Sequence, residues 1–197
     1  MNLQLREMAD KCMNVISSLP MVKYCELYGS IANNTEDEFS DIDIKVDVSG
    51  YDNGIFMLEV PHLIKDKINV IYYDFAPGLI PNSYIVSIAI SIDNPFAIVD
   101  INCIAIPHCT TVLKEHAVND VFSHTLKVWV ANLKHHARGY DCYDDIVRMA
   151  KRLGIKDTGS KDEEELLEET LTWLEENQTD KLERYVNSCR EKFEELV

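Results

Sequence analysis

Residues 27–44 read LYGSIANNTEDEFSDIDI, and the order of residue types in this stretch predicts the fold. The residues before Gly29 favour a β-strand that ends at the glycine. From Asp41 onward charged and aliphatic residues alternate, so Asp41, Asp43 and Lys45 face one side of a second strand while the isoleucines face a core. We therefore expect two strands joined through a short helix, with one strongly charged face.

The same stretch carries the groups that nucleotidyl transfer requires, namely donors for a polyphosphate and carboxylates for divalent metal. Gly29 lets the backbone come close to a ligand, and the Ser30 hydroxyl can point at phosphate oxygens. Asp41 and Asp43 stand about 7 Å apart along their strand, which suits a pair of metals about 3.5–4 Å apart. Two acids at this spacing often form only an exposed strand face, but the Gly-Ser pair and the spacer before them make the pattern more specific.

The whole segment resembles the nucleotidyltransferase superfamily related to DNA polymerase β, whose signature is a hydrophobic strand, Gly-Ser, a spacer and Asp-x-Asp. This resemblance implies an enzyme that moves a nucleotide, AMP by preference, from a nucleoside triphosphate to an acceptor hydroxyl and releases pyrophosphate. It also implies Mg²⁺ as the cofactor, with two ions held by Asp41, Asp43 and a third carboxylate on a later strand.

Asp100 is the best candidate for the third carboxylate. It lies in the middle of the largely apolar stretch Phe96–Ala105, where a charge is costly unless it is paired or bound to metal. We therefore predict that Asp100 binds the catalytic metal and helps to deprotonate the acceptor. Asp74 is the second candidate, but its position near a strand end before Pro77 favours a role in a turn.

The segment departs from the superfamily pattern at Asn33 and Asn34, where members often carry Arg-Gly. Asparagine adopts the left-handed backbone conformation more readily than most residues, so Asn34 can replace that glycine. Loss of the basic residue at position 33 is expected to weaken triphosphate binding. Lys45 is a candidate to supply the missing positive charge, and an exposed strand lysine with no such role is the alternative.

The net charge and the composition of the chain limit the classes of partner that we expect. The chain has 34 acidic and 19 basic residues and a net charge of −15, so nucleic acid is not expected as a partner and cationic small molecules are attracted. The first ten residues lack the apolar segment of a signal peptide, and no apolar run is long enough to span a bilayer. We expect a cytoplasmic protein that does not enter the membrane.

The six cysteines are scattered without a CxxC pair, which favours buried free thiols in a reducing compartment. One group, Cys103, His108, Cys109 and His116, has metal-ligand residue types but irregular spacing. We interpret its members as loop and strand residues rather than as a zinc site.

Hydrophobic periodicity predicts an α+β protein, with strands and flanking helices over residues 1–110 and a helical bundle over 111–197. The resemblance described above implies that the strands form the mixed sheet of the nucleotidyltransferase superfamily. Ser160 with Glu163, and Asp180 with Glu183, have the form of capping boxes that begin the last two helices. In the first long helix of the bundle, Trp129 is predicted to be a core residue. The adjacent His135 and His136 are predicted to be solvated.

The bundle is similar in shape and helix spacing to the helical domain of the lincosamide and aminoglycoside antibiotic nucleotidyltransferases. This second resemblance implies that the helical part contributes to the acceptor site. A small-molecule acceptor follows, with a cationic antibiotic favoured by the acidic charge and antibiotic resistance as the implied role. Two alternatives stay open: a protein or RNA acceptor, as in toxin-like members, and a non-catalytic nucleotide-binding module.

Overall fold

The computed structural model describes residues 3–76 and 82–197. Within those residues there are seven α-helices and five β-strands, so the mixed α+β class with a helical C-terminal part is confirmed. The helices are α1 (Leu3–Ser17), α2 (Gly29–Asn33), α3 (Asn53–Ile64), α4 (Val121–Ala137), α5 (Tyr143–Arg152), α6 (Glu163–Asn177) and α7 (Glu183–Leu196). The strands are β1 (Tyr24–Tyr28), β2 (Ile42–Asp47), β3 (Tyr72–Ala76), β4 (Ser83–Ala89) and β5 (Ile98–Ile104).

The chain divides into two compact units. The sheet unit comprises Met1–Ser91 and Ala97–Asn119, and the helical unit comprises Ile92–Phe96 and Asp120–Val197. The predicted domains, 1–110 and 111–197, stay a prediction. Along the described part of the chain, no helix combines the length and the apolar composition needed to cross a membrane.

The strands form one mixed sheet in the order β1-β2-β5-β4-β3. β2 and β5 are parallel, and every other neighbouring pair in this order is antiparallel. Along β2, Ile42, Ile44 and Val46 are fully buried while the residues between them are partly exposed, which confirms the strand with two unlike faces. The buried face packs in one hydrophobic cluster with the apolar sides of α1 and α3.

The helical unit has its own apolar core, which all four long helices share. Trp129 is fully buried in it, as predicted, and its indole N–H donates to the Leu167 carbonyl at 2.9 Å. Its other buried side chains include Leu126, Leu133, Ile146, Leu166, Leu167, Leu171, Leu174, Tyr185, Val186 and Phe193.

Three local predictions in the helical unit are wrong. The capping box of α6 is formed by Asp162 and Glu165, because Asp162 accepts from the Glu165 N–H at 2.9 Å and Glu165 accepts from the Asp162 N–H. Ser160 instead lies in a 3₁₀ turn, and α7 begins without a side-chain cap. His136 is not a solvated helix residue, since its side chain is only 21% exposed and contacts an acid of α6.

Candidate active site

Strand register places five polar side chains in one row across the sheet. The row runs from Tyr28 on β1 through Asp43 on β2, Asp100 on β5 and Ser87 on β4 to Asp74 on β3, each residue being the Cα partner of the next. Residues directly opposite each other on paired strands present their side chains to the same face of the sheet. This face is the one opposite the buried isoleucines of β2, and we call these five residues the polar row.

Asp43 and Asp100 lie side by side at the centre of the polar row. Their strands are parallel neighbours, and neighbouring strands are separated by about 4.8 Å. Both side chains are partly exposed, and Asp100 Oδ1 accepts a hydrogen bond from the Ser87 hydroxyl at 2.5 Å. Asp41 is also partly exposed and immediately precedes β2. The structure thus brings two of the predicted metal ligands together and leaves the third at the strand end.

The environment of Tyr28 links all three carboxylates electrostatically. Burial raises the pKa of its phenol to about 12, and the negative charges of Asp43, Asp100 and Asp41 act in the same direction. A hydrogen bond with the Asn102 side chain opposes them. Because these charges all disfavour the phenolate, the three acids share one electronegative environment beside this tyrosine.

The Gly-Ser pair lies directly against the acids. Gly29 begins α2 with a φ of +68°, and a Cβ added there would overlap the Asp43 carboxylate, whose Cγ is 3.0 Å away. Only glycine fits this position because any side chain would displace Asp43. The Ser30 hydroxyl is buried and has no hydrogen-bond partner among the described residues, so it is a donor available to a ligand.

The loop after α2 begins at Asn34, for which the sequence predicts a left-handed backbone. Asn34 has φ 56° and ψ 36°, which confirms the predicted left-handed conformation. Arg6 on α1 donates to Asn34 Oδ1 at 2.9 Å and forms two 2.7 Å bonds with the Glu36 carboxylate. The guanidinium of Arg6 therefore lies beside this loop. Its charge is already neutralised by Glu36, whose side chain is 1% exposed. No local pattern indicates this pair, since its members belong to different elements.

Lys45 lies on the same face of the sheet as the polar row, two residues beyond Asp43 on β2. Its register partners are Glu26 and Asn102, and its ammonium is 3.5 Å from the Glu26 carboxylate. Lys45, Tyr28 and Asn102 line a cavity of about 600 Å³ in the sheet unit, together with residues of the 104–108 segment. The Asn102 side-chain oxygen is buried without a partner within the described chain. The cavity therefore meets the polar row at Tyr28, the register partner of Asp43, rather than at the three acids themselves, and it offers both a cation and a polar amide.

The predicted turn role of Asp74 is wrong. Asp74 is the central residue of β3, is 1% exposed and pairs with Ser87 across the strands. The expectation depended partly on Pro77, which lies outside the described residues. Asp74 extends the polar row by one more acid, and sequence reasoning missed it because the β3 register was unknown.

The donor chemistry of this site fits a hard divalent cation. Carboxylate oxygens are the ligands that Mg²⁺ prefers, and Asp41, Asp43 and Asp100 each present one. The ligand atoms of these three aspartates do not all lie within 4.8 Å of one another. Among the described residues, His136, Cys142 and Glu163 form a group whose ligand atoms do. The orphaned Ser30 hydroxyl and the adjoining cavity are consistent with a polar ligand bound beside the acids.

The helical unit contains a different cavity, of about 280 Å³, between α4 and α5. Its lining includes Lys127, Arg148, Arg152 and His124, with Asp145 as the acidic member. Asp145 is paired with Arg148 at 3.1 Å. Since the remaining cations outnumber the acids here, this cavity suits an anionic group, whereas the net charge of the chain predicts a cationic acceptor.

A scan against protein-family models and a search of the curated proteins both give no match for this chain. A function must therefore be inferred from the polar row, the Gly-Ser pair and the cavity beside them.

Proposed function

We propose that this chain is a metal-dependent nucleotidyltransferase with the fold of the DNA polymerase β superfamily. In this proposal it moves a nucleotide, AMP by preference, from a nucleoside triphosphate to a hydroxyl of a small-molecule acceptor and releases pyrophosphate. One observation carries it: Asp43 and Asp100 are in register on neighbouring parallel strands, with Gly29 pressed against Asp43. An ordinary exposed strand face requires no such glycine.

The carboxylates of Asp41, Asp43 and Asp100 are the groups that would hold Mg²⁺. When bound, the metal would neutralise the triphosphate and make the acceptor hydroxyl more acidic. Ser87 donates to Asp100 Oδ1 and so fixes the orientation of that carboxylate. In this arrangement Asp100 is the residue that accepts the proton from the acceptor hydroxyl.

The Gly-Ser pair and the adjoining cavity would hold the donor nucleotide. The Ser30 hydroxyl, buried and without a partner among the described residues, would donate to a phosphate oxygen. The volume of about 600 Å³ lies within the usual range for small-molecule sites, about 300–1,000 Å³. Lys45 lines this cavity and, despite its nearby Glu26, is the cation best placed to meet a phosphate there.

The acceptor is proposed to be a small molecule, and aminoglycoside- and lincosamide-like compounds are the first to test. The acidic charge of the chain supports a cationic acceptor. A turnover screen should therefore compare cationic with neutral and anionic acceptors.

Calorimetric titration with Mg²⁺ and triphosphate, followed by a pyrophosphate-release screen over these acceptors, tests the proposal. Asp43→Asn and Asp100→Asn are expected to lower turnover by about 100-fold or more, because loss of a group that only supports a metal ligand already costs about 10–100-fold. Asp66→Asn, at an exposed aspartate after α3, is the matched control and should leave turnover unchanged.

Three results would contradict parts of the proposal. Full activity in Asp43→Asn and Asp100→Asn would exclude the mechanism. Triphosphate binding without divalent metal, and no pyrophosphate with any acceptor, would indicate a non-catalytic module. A labelled protein or RNA band after incubation with labelled ATP and cell lysate would show that the acceptor is a macromolecule.

A further inference from the structure

Three helical elements of the helical unit bring a histidine, a cysteine and a glutamate together. His136 is in the last turn of α4, Cys142 immediately precedes α5, and Glu163 is the first residue of α6. Their ligand atoms all lie within 4.8 Å of one another, and within the described chain no other set of three metal-binding side chains does so. We call these residues the His-Cys-Glu cluster.

One distance in the cluster equals that of a tetrahedral metal site, and another is a hydrogen-bond distance that would have to lengthen. Zinc binds sulfur at about 2.3 Å and nitrogen or oxygen at about 2.0–2.2 Å, so tetrahedral ligands stand about 3.4–3.6 Å apart. Cys142 Sγ is 3.6 Å from Glu163 Oε2 and already has this separation. His136 Nδ1 is 2.6 Å from the same oxygen, so a side-chain adjustment of about 0.8 Å would admit the ion.

A fourth residue, Glu164, lies on the other side of the histidine ring. The other ring nitrogen of His136, Nε2, lies 3.7 Å from Glu164 Oε1. Histidines that bind metal through one nitrogen nearly always direct the other toward a carboxylate, carbonyl or water, which orients the ring. Cys142 is 4% exposed, and its thiol donates to the Glu163 carboxylate at 3.6 Å and to the Asn132 carbonyl at 3.8 Å, so the thiol faces the histidine–glutamate pair.

We propose that His136, Cys142 and Glu163 bind one Zn²⁺ ion that holds the ends of α4, α5 and α6 together. The three side chains supply nitrogen, sulfur and oxygen, and water takes the fourth position. On binding, the Cys142 thiol releases its proton to solvent and the thiolate becomes the ligand. The mixed donor set selects zinc over Mg²⁺, which separates this site from the three carboxylates, Asp41, Asp43 and Asp100, of the sheet unit.

Cobalt substitution tests the site directly, because a thiolate bound to Co²⁺ produces a charge-transfer absorption that carboxylate ligands do not. The full chain, stripped of metal with a chelator and kept reduced, should bind one Co²⁺ with this band and lose the band when Zn²⁺ is added. Cys142→Ser should abolish the band and the rise in thermal midpoint that Zn²⁺ causes in the wild type. Cys109→Ser, at an exposed free cysteine, should change neither.

Additional variants keep the test decisive if Cys142→Ser does not fold. His136→Gln should abolish zinc binding whereas His135→Gln, at the adjacent position of the same helix, should not. Glu164→Gln should weaken zinc binding by about 10–100-fold, as loss of a supporting group does.

Absence of a thiolate band in the folded wild type would overturn the proposal. A band that survives in folded Cys142→Ser and disappears in Cys109→Ser would overturn it too, because the metal would then bind elsewhere. The band should persist in Asp43→Asn, so the outcome is separable from that of the proposed nucleotidyl transfer.

Discussion

Gly29 lies directly against Asp43 at the proposed active site. Gly29 has a backbone conformation that side chains rarely adopt, and the space where its Cβ would stand is occupied by the Asp43 carboxylate. Two independent effects therefore favour glycine at position 29. Its positive φ would strain any other residue, and a Cβ would occupy the space that the Asp43 carboxylate fills.

A matched pair of glycine variants separates these two effects. Gly139 has a φ of +71°, close to the +68° of Gly29, but an added Cβ there meets nothing within 4 Å. We expect Gly139→Ala to lower the free energy of unfolding by about 1–2 kcal/mol through strain alone. Gly29→Ala should cost more, because Asp43 must also move, and should impair metal-dependent triphosphate binding.

Urea unfolding and calorimetric titration measure the two effects of this pair. Suppose that the two variants lose equal stability and both keep triphosphate binding. That result would show that the contact between Gly29 and Asp43 does not contribute to function.

The raised pKa of Tyr28 predicts that the folded state loses stability at high pH. Its pKa is about 12 in the folded protein against an ordinary value of 10, first because of burial and then because of Asp43, Asp100 and Asp41. The folded state therefore holds the phenolic proton more firmly than the unfolded state does. This contribution to stability is complete below pH 10 and is lost as the pH rises from 10 through 12.

Urea unfolding at pH 9 and above pH 11 can detect this loss. Wild type should lose more stability over this interval than Tyr28→Phe, which has no proton to release at this position. Tyr140→Phe, at an exposed tyrosine, should behave like wild type. If wild type and Tyr28→Phe lose stability equally, the phenol of Tyr28 is not held protonated by the fold.

At the scale of single elements, the beginning of α6 shows how one hydrogen bond selects between two possible helix starts. Both Ser160 and Asp162 are residue types that cap helices, and each is followed three positions later by a glutamate. Only Asp162 accepts from the backbone of its glutamate partner, while the Ser160 hydroxyl donates to the Asp157 carbonyl. The helix consequently starts at Glu163.

Replacement of each candidate cap by alanine tests this assignment. Asp162→Ala should lower the free energy of unfolding by about 1 kcal/mol, because the first turn of α6 loses an acceptor for its N–H groups. Ser160→Ala should cost clearly less, since its hydroxyl does not cap the helix. Urea denaturation of both variants distinguishes the two sites, and a larger loss in Ser160→Ala would contradict the assignment.

Over the whole molecule, the excess of acidic residues creates a field that concentrates cations around the chain. The net charge is −15 and the isoelectric point is about 4.7. Such a field extends about 8 Å at physiological ionic strength and about 3 Å at 1 M salt. It would assist the acids of the polar row in attracting a divalent cation and oppose the approach of polyanions.

Salt dependence of Mg²⁺ binding measures this long-range contribution. We expect the Mg²⁺ affinity of wild type to fall several-fold as KCl is raised from low concentration to 1 M, because the field is screened. Asp66→Lys removes negative charge at an exposed position away from the polar row and should weaken binding at low salt only. An affinity independent of salt in both proteins would show that local ligands alone attract the cation.

Several features were predictable from short stretches of sequence. The alternation in β2 indicated its buried and polar faces, and Gly29-Ser30 marked the end of β1. Asp100 stood out because it interrupts an apolar strand. These patterns are readable because the period of a strand and the backbone freedom of glycine are properties of a few consecutive residues.

Other features required the folded chain. The Arg6–Glu36 pair, the place of Asp74 in the polar row and the His-Cys-Glu cluster join residues from separate elements. Their spacing along the sequence carries no signal, because strand order and helix packing decide which of them meet. The solvated role predicted for His136 was wrong for this reason.

Local sequence was thus sufficient to predict the charged face of β2 and the end of β1 at Gly29, and it singled out Asp41, Asp43 and Asp100 as candidate ligands. Which of those acids stand beside each other depended on the strand order β1-β2-β5-β4-β3, which makes β2 and β5 parallel neighbours. Pairing of distant strands depends on the burial of whole apolar faces, and no short stretch contains that information.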